Sequence, residues 1–470
     1  MPSVLLTHSY FLYLDPKQEE AGNAYPPLGT LYAASCLKEL GYEVRLFDAM
    51  LAKSPGELLP VLQNAQPDFL VVYDDGFNYL TKMCLTNMRE AAFEMSKMAK
   101  AQGAKVVVCS SDSTDHYEKY LDHGADAVIL GEGEMALLEI TTLLAEGKTD
   151  FSQVQGLAYR MDGKTVLTPK RPVIRDLDSL PAPAWDLITI APYKAAWQKH
   201  GRFSINMATT RGCPYKCNWC AKPIYGNRYN SHSPKAKADE LAYLVNTFGA
   251  QHIWFGDDIF GLKPGWVQEF ANEVEARGLK VKFKIQSRAD LLLDGDTVAA
   301  LARAGCEEVW IGAESGSQKV LDAMDKGITV EQIRKARTLL QQHGIRAAFF
   351  LQFGYLGETW EDIQATITML FQAMPDDIGI SVSYPLPGTG FYEKVKSQLG
   401  TKANWTDSDD LHLMFKNTYS PEFYKRLHRY VHKRFRLAQA RNKGSLKRFW
   451  FGPATQIAKQ RLMSLQEIKA

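Results

Sequence analysis

Eleven short apolar runs, alternating with helical patterns, precede residue 390 and fall into two series. In the first, strands are expected at 4–7, 43–47, 69–73, 105–109 and 127–130, and helices near 28–40, 55–64, 80–102, 115–123 and 134–146. Several of these helices close at a glycine, as helix ends commonly do. Five βα units in this order predict a doubly wound parallel sheet of Rossmann or flavodoxin-like type. The second series has strands at 205–209, 252–255, 282–286, 308–312, 346–353 and 377–384. Helical patterns at 234–248, 264–277, 297–304, 330–343 and 360–373 separate them. Six units are too few to close an eightfold barrel, so the expected fold is α/β: a partial (β/α)6 TIM-like barrel following the first sheet.

The remaining stretches bound these two domains. Over 149–200 the periodicity weakens; 157–160 and 165–168 can pair as a hairpin across Asp162-Gly163, and 176–185 holds Pro181 and Pro183 in an extended connector. Past Tyr392 the pattern turns helical, with a densely basic run at 424–443 that keeps an apolar stripe of Leu427, Tyr430, Val431, Phe435 and Leu437. Lys447-Arg-Phe-Trp-Phe451 then sets aromatics beside cations. The expected division is 1–148, a linker at 149–200, a barrel at 201–390 and a helical C-terminal domain at 391–470.

Composition narrows the setting. Hydrophobic residues make up 46% and charged residues 23%, values of a globular protein in water. No apolar run approaches the roughly 18 residues of a membrane span, and the opening Met-Pro-Ser-Val-Leu-Leu-Thr-His is no signal peptide, so a cytoplasmic location is expected. Cys36, Cys84, Cys109 and Cys306 are scattered singly, as buried free thiols usually are.

The other three cysteines, Cys213, Cys217 and Cys220, fall within eight residues in a CxxxCxxC array that follows an apolar run and Thr-Thr-Arg-Gly. That places them on a loop leaving the C-terminal end of a strand, where barrels and open sheets keep their chemistry. Structural zinc wants a fourth ligand, and His232 is the one nearby candidate. Three thiolates on so short a loop can instead hold a cubane iron-sulfur cluster and leave its fourth iron open. An electron-transfer or sensor protein would add a fourth cysteine close by, and none stands there.

CxxxCxxC with Trp219 just before the last cysteine resembles the signature of the radical S-adenosylmethionine (SAM) superfamily. The resemblance implies a 4Fe-4S cluster on Cys213, Cys217 and Cys220, SAM on the fourth iron, and a partial barrel around them. It further implies reductive cleavage of SAM to a 5′-deoxyadenosyl radical that removes hydrogen from an unactivated carbon. By the same resemblance, SAM contacts fall on Trp219; on Gly256, Asp257 and Asp258 of Phe255-Gly-Asp-Asp; on Arg288; on Glu314 and Ser315; and on Gln352 and Gly354. Two aspartates after a strand also suit a helix cap, and Arg288 also suits a loop tether.

Polar and small residues follow the strands of the first series too: Thr7-His8, Asp74-Asp75-Gly76, Ser110-Ser111 and Gly131-Glu132-Gly133-Glu134. No GxGxxG follows the first strand, which argues against a dinucleotide. With Tyr25-Pro-Pro-Leu-Gly-Thr-Leu-Tyr32 and Gly41-Tyr-Glu-Val-Arg-Leu-Phe-Asp48, this region is similar to the cobalamin-binding domain of cobalamin-dependent radical SAM enzymes. The similarity implies cobalamin contacts at Leu28, Gly29, Asp74, Asp75, Gly76, Ser110, Ser111, Gly131, Glu132 and Glu134. The DxHxxG motif that supplies a cobalt ligand elsewhere is absent, and His8 and His123 read as structural histidines. A Rossmann-like domain that merely shapes the cleft is the plainer reading of the same residues.

The expected activity is methyl transfer from methylcobalamin to the substrate radical, with cyclisation or rearrangement as the alternative. A methylthiotransferase would carry three clustered cysteines upstream, where this chain has dispersed ones. Expected partners are a small-molecule substrate and an external one-electron donor such as flavodoxin or ferredoxin; no nucleic-acid motif is present. The basic C-terminal helix reads as a solvated face or as weak contact with an anionic membrane surface.

Overall fold

A computed structural model describes residues 2–442 and 447–466. Seven strands form the first sheet: β1 Ser3–Thr7, β2 Glu43–Leu46, β3 Phe69–Tyr73, β4 Lys105–Cys109, β5 Ala127–Ile129, β6 Leu157–Met161 and β7 Lys164–Leu167, in the order β2-β1-β3-β4-β5-β6-β7. Pairing is parallel from β2 through β5 and antiparallel from β5 through β7. The 2-1-3-4-5 order is the flavodoxin-like one, and it reverses direction between β1 and β3. All five residues of β3 are buried, as a central strand covered on both faces requires, whereas β2 exposes Glu43 and Arg45 at the edge. Period-two alternation divides the apolar residues between two cores. Leu6, Val71, Val107 and Ile129 pack on one face, and Leu5, Leu70, Val72 and Val108 on the other. Each such side chain contributes about 1.5–3 kcal/mol relative to exposure.

Two expectations are revised here. The hairpin around Asp162 and Gly163, both at positive φ, forms as read, yet β6 pairs with β5, so part of the expected linker completes the first sheet. The helix expected over 80–102 is two helices, Tyr79–Lys82 and Thr86–Ala101, separated at Cys84, whose φ of 53° no α-helix accommodates.

The next strands are β8 Ser204–Met207, β9 Thr210–Arg211, β10 Asn230–Ser231, β11 His252–Phe255, β12 Lys282–Ser287, β13 Cys306–Glu314, β14 Arg346–Phe353 and β15 Asp377–Val382. Six of them make the second sheet, in the order β15-β14-β13-β12-β11-β8, while β9 and β10 pair separately as a short antiparallel ladder. The β8–β11, β13–β14 and β14–β15 pairings are parallel. Helices Pro234–Phe248, Thr297–Ala304, Val330–Gln342 and Trp360–Ala373 stand where the periodicity put them. Past Val395 the chain runs irregularly to residue 420, and two long helices follow, Pro421–Asn442 and Lys447–Gln466, so the helical extension starts later than the pattern after Tyr392 suggests. No helix among the described residues is long and apolar enough to cross a membrane.

Two compact units divide the chain: Met1–Pro214 with Lys222–Phe283 and Asn404–Asp410, and Tyr215–Ala221 with Lys284–Ala403 and Leu411–Ala470.

Candidate active site

In the first unit the sheet reverses between β1 and β3, so the loops after those strands border the crevice where doubly wound sheets bind ligands. Asp74 accepts from the Ser9 backbone N–H at 2.7 Å and the Ser9 hydroxyl at 2.8 Å. Asp75 accepts from the backbone N–H groups of Leu28, Gly29 and Phe77 at 3.2, 3.0 and 3.0 Å. Two of those donors open the helix Leu28–Glu39, whose first amides have no partner inside the helix. A Cβ on Gly29 would stand 3.1 Å from the Asp75 backbone, so glycine is what lets helix and loop meet. Burial raises the pKa of both aspartates, and the amide donors oppose that shift.

Ser110 caps the helix Ser111–Asp115 in a reciprocal box with Ser113. The buried Ser111 hydroxyl has no partner among the described residues. Tyr73, Asp74, Gly76, Ser111 and Tyr225 line a narrow cavity at these strand ends. Both histidines considered for cobalt have partners within the protein. His8 bonds Asp48 at 3.1 Å, and His123 stacks on Phe93 with ring centres 3.9 Å apart.

Gly131 to Glu134, after β5, meets the chain that leads into the cysteine array. Arg211, two residues before Cys213, donates to Glu132 at 2.7 Å and Glu134 at 2.8 Å. Its guanidinium carbon lies 5.3 Å from the ring centres of Tyr32 and Tyr225 and 5.8 Å from that of Phe77. All three charged side chains are buried, so removing the Arg211 cation leaves two carboxylates without compensation. Glu132 also accepts from the Ile174 N–H at 2.5 Å. Its pKa is raised by burial, with Arg211 pulling it down and Glu134 pushing it up. Next, Gly212 has φ of 79°, and a Cβ there would come within 2.4 Å of the Arg228 carbonyl, so the turn into Cys213 requires glycine.

After β11, Gly256 runs close to the Phe77 backbone, and Asp257 turns back to the loop after β8. One Asp257 oxygen accepts from the N–H and hydroxyl of both Thr209 and Thr210, at 2.6 to 3.2 Å. The other oxygen is buried without a partner among the described residues, and burial pushes this carboxyl up to about 6. Asp258 pairs with Lys82. His232 Nδ1 donates to Asp178, 2.9 Å away, and burial lowers the pKa of its imidazole.

In the second unit, Cys217 and Cys220 are half-buried and the Cys220 N–H bonds the Cys217 carbonyl at 3.2 Å. Asn218 between them is the anchor. Its backbone N–H reaches the Met324 carbonyl at 3.1 Å, its side-chain amide reaches Ala323 and Asp325 at 2.8 and 2.7 Å, and the Tyr355 hydroxyl donates to its oxygen at 2.8 Å. Arg288 lies 3.6 Å above the Tyr215 ring and spends its fork on Asp290 and the carbonyls of Lys326 and Gly327.

Glu314 ends β13 at a break in strand register and has φ of 56°, a conformation that costs about 1–3 kcal/mol and tends to mark functional positions. Its carboxylate pairs with buried Lys326 at 2.7 Å, and the Lys326 ammonium lies 5.9 Å from the Trp219 ring centre. Ser315 bonds Thr366 at 2.9 Å, Gln352 donates to Ser383 at 2.8 Å, and the Gly354 N–H donates to Glu358 at 2.6 Å. The Trp219 indole N–H is unpartnered among the described residues. Sequence reasoning missed Arg211, Asn218, Tyr225 and Lys326. A lone arginine within a buried strand and directly before Gly-Cys was the one available signal.

The radical SAM superfamily model matches residues 207–370. An uncharacterized methyltransferase of Pyrococcus horikoshii is 27% identical over 82% of this chain and 82% of its own length. The anaerobic magnesium-protoporphyrin IX monomethyl ester cyclase of Rubrivivax gelatinosus is 28% identical over 80% of this chain and 67% of its own. Among solved structures, the radical SAM methyltransferase TsrM of Kitasatospora setae superposes with a TM-score of 0.70 at 19% identity, covering 85% of this chain and 75% of that one. The fold and the cysteine array thus define a radical SAM enzyme. Beyond that domain, the chain is similar along most of its length to proteins named as methyltransferases and cyclases.

Proposed function

We propose that this enzyme methylates an unactivated carbon of a small substrate, with a 4Fe-4S cluster on Cys213, Cys217 and Cys220, SAM, and cobalamin as its cofactors. When bound, the reduced cluster supplies the electron that cleaves SAM, and the corrinoid supplies the methyl group. The Arg211 clasp is the observation that carries the reading: it ties the strand-end loop of the first sheet to the chain entering the cysteine array. A domain that served only as a spacer has no need of a buried cation shared by those two loops.

The residues present fit these groups. No three His, Cys, Asp or Glu side chains among the described residues gather as a single-ion site, and a cubane takes its thiolates at separate irons. At the first sheet's strand ends the orphaned Ser111 hydroxyl offers a polar contact beside the cavity lined by Tyr73, Asp74, Gly76 and Tyr225. For SAM, the first unit offers the free oxygen of Asp257, and the second offers the strained Glu314, Ser315, Gln352, Gly354 and the face of Trp219. Gly256, Asp258 and Arg288 each hold their own loops. The TsrM structure holds cobalamin and a [4Fe-4S] cluster, and the hopanoid C-3 methylase of Methylococcus capsulatus is 25% identical over 91% of this chain.

Cyclisation is the second reading, favoured by three anaerobic cyclases at 26 to 29% identity. Methyl-labelled SAM separates the two. Reconstituted enzyme, reductant and cobalamin should give S-adenosylhomocysteine and label on the extracted corrinoid if it is a methylase. Formation of 5′-deoxyadenosine with no label transferred contradicts the methylase.

A further inference from the structure

Charge is distributed unevenly along this chain. The whole sequence has 55 Lys and Arg against 53 Asp and Glu, yet the helices Pro421–Asn442 and Lys447–Gln466 hold eleven basic residues and one acid, Glu422. That acid is already paired with Arg426 at 2.8 Å. The two helices pack on one another, and neither carries a second acid to offset their cations. Like charges gathered this way repel unless an anionic surface screens them.

Burial shows which parts are already spoken for. Phe423, Leu427, Val431 and Phe435 turn inward on the first helix, while Arg429, Lys433 and Arg436 are exposed at spacings of four and three, forming one stripe. On the second helix Trp450 is 78% exposed and Ile457 50% exposed. They lie seven residues apart, hence on one face, and the exposed Lys447 and Arg461 fall on that face as well. A large aromatic in water beside cations, on a helix with no acid, is the composition of a segment that lies in a lipid headgroup region.

We propose that this C-terminal helix pair docks on an anionic lipid bilayer, with Trp450 and Ile457 entering the headgroup boundary and the surrounding cations drawn to the lipid charge. Duplex nucleic acid offers the same charge but no apolar boundary for Trp450 and Ile457 to enter, so the bilayer is the better match. Contact of this kind holds the enzyme beside substrates that partition into lipid.

Sedimentation of the full-length enzyme with phosphatidylcholine vesicles, with and without phosphatidylglycerol, tests this. Binding should appear with the anionic vesicles alone and fall away in high salt. Replacing Arg429, Lys433 and Arg436 with glutamine should weaken it about a hundredfold, at about fivefold per cation. Trp450→Ala should weaken it about tenfold, with quenching by brominated lipid lost in parallel. Lys105→Gln, Lys164→Gln and Lys282→Gln, exposed elsewhere and equal in charge removed, should leave binding unchanged. Equal binding to neutral vesicles, no binding to anionic ones, a control triple variant as weak as the first, or stronger binding to duplex RNA at equal phosphate overturns the proposal.

Discussion

At the carboxyl ends of β3 and β5, Asp74, Asp75, Glu132 and Glu134 accept hydrogen bonds from backbone amides, Ser9 and Arg211. At the end of β13, Glu314 has the single ammonium of Lys326. Both sets are buried carboxylates at strand ends, and they differ in what they hold. The first set fixes loops, since most of its donors, Ser9, Leu28, Gly29, Ile174 and Arg211, belong to other segments. Glu314 sits in a strained backbone at a register break with one buried cation, the partner that a ligand's ammonium or hydroxyl would replace under the proposed SAM contact. Carboxylates of one chemical type therefore build a rigid frame in one unit and an exchangeable contact in the other.

Breaking the frame should have the largest effect. Arg211→Met leaves Glu132 and Glu134 buried without a cation, and the expected loss is about 3–5 kcal/mol in anaerobic denaturant unfolding. Adding Glu132→Gln and Glu134→Gln to that variant should return most of the loss. A cost below about 1 kcal/mol for Arg211→Met would remove the clasp from the account. The exchangeable contact should show a smaller term: a double-mutant cycle of Glu314→Gln and Lys326→Met should give coupling of about 1–3 kcal/mol. SAM bound at that place should shrink the coupling, because the ligand takes over one partner.

Glu358 sharpens the contrast through pH. It accepts one bond, from the Gly354 N–H, its other oxygen has no partner among the described residues, and burial pushes it up to about 8. A folded-state value above the ordinary 4.5 means the protonated form is favoured by folding. Its contribution is fully present below about 4.5 and is lost as pH rises through about 8. Stability should therefore fall between about pH 4.5 and about pH 8 by up to about 1.4 kcal/mol per pH unit and level off above that, and Glu358→Gln should flatten that slope. An unchanged slope in the variant means that another group titrates there.

Most of the frame was legible because β-branched runs such as Phe69–Tyr73 and Lys105–Cys109 are buried on both faces and announce themselves locally. The cysteine array was legible for the same reason, its chemistry lying within eight residues. What stayed hidden is pairing across distance. Glu132 and Arg211 are 79 positions apart, and no local pattern joins them. The β5–β6 pairing and the interruption at Cys84 were missed likewise, since an edge strand's partner and a single positive φ depend on tertiary contacts.

The central claim is that one chain joins a radical-initiating cluster to a corrinoid. Anaerobic reconstitution with iron, sulfide and hydroxocobalamin, followed by gel filtration, absorbance spectra and metal analysis, tests it most directly. The account predicts a charge-transfer band of the cluster together with about one corrinoid per chain, with corrinoid uptake reduced in Arg211→Met while iron content in folded protein persists. A full cluster with no corrinoid retained by the unaltered protein would contradict it.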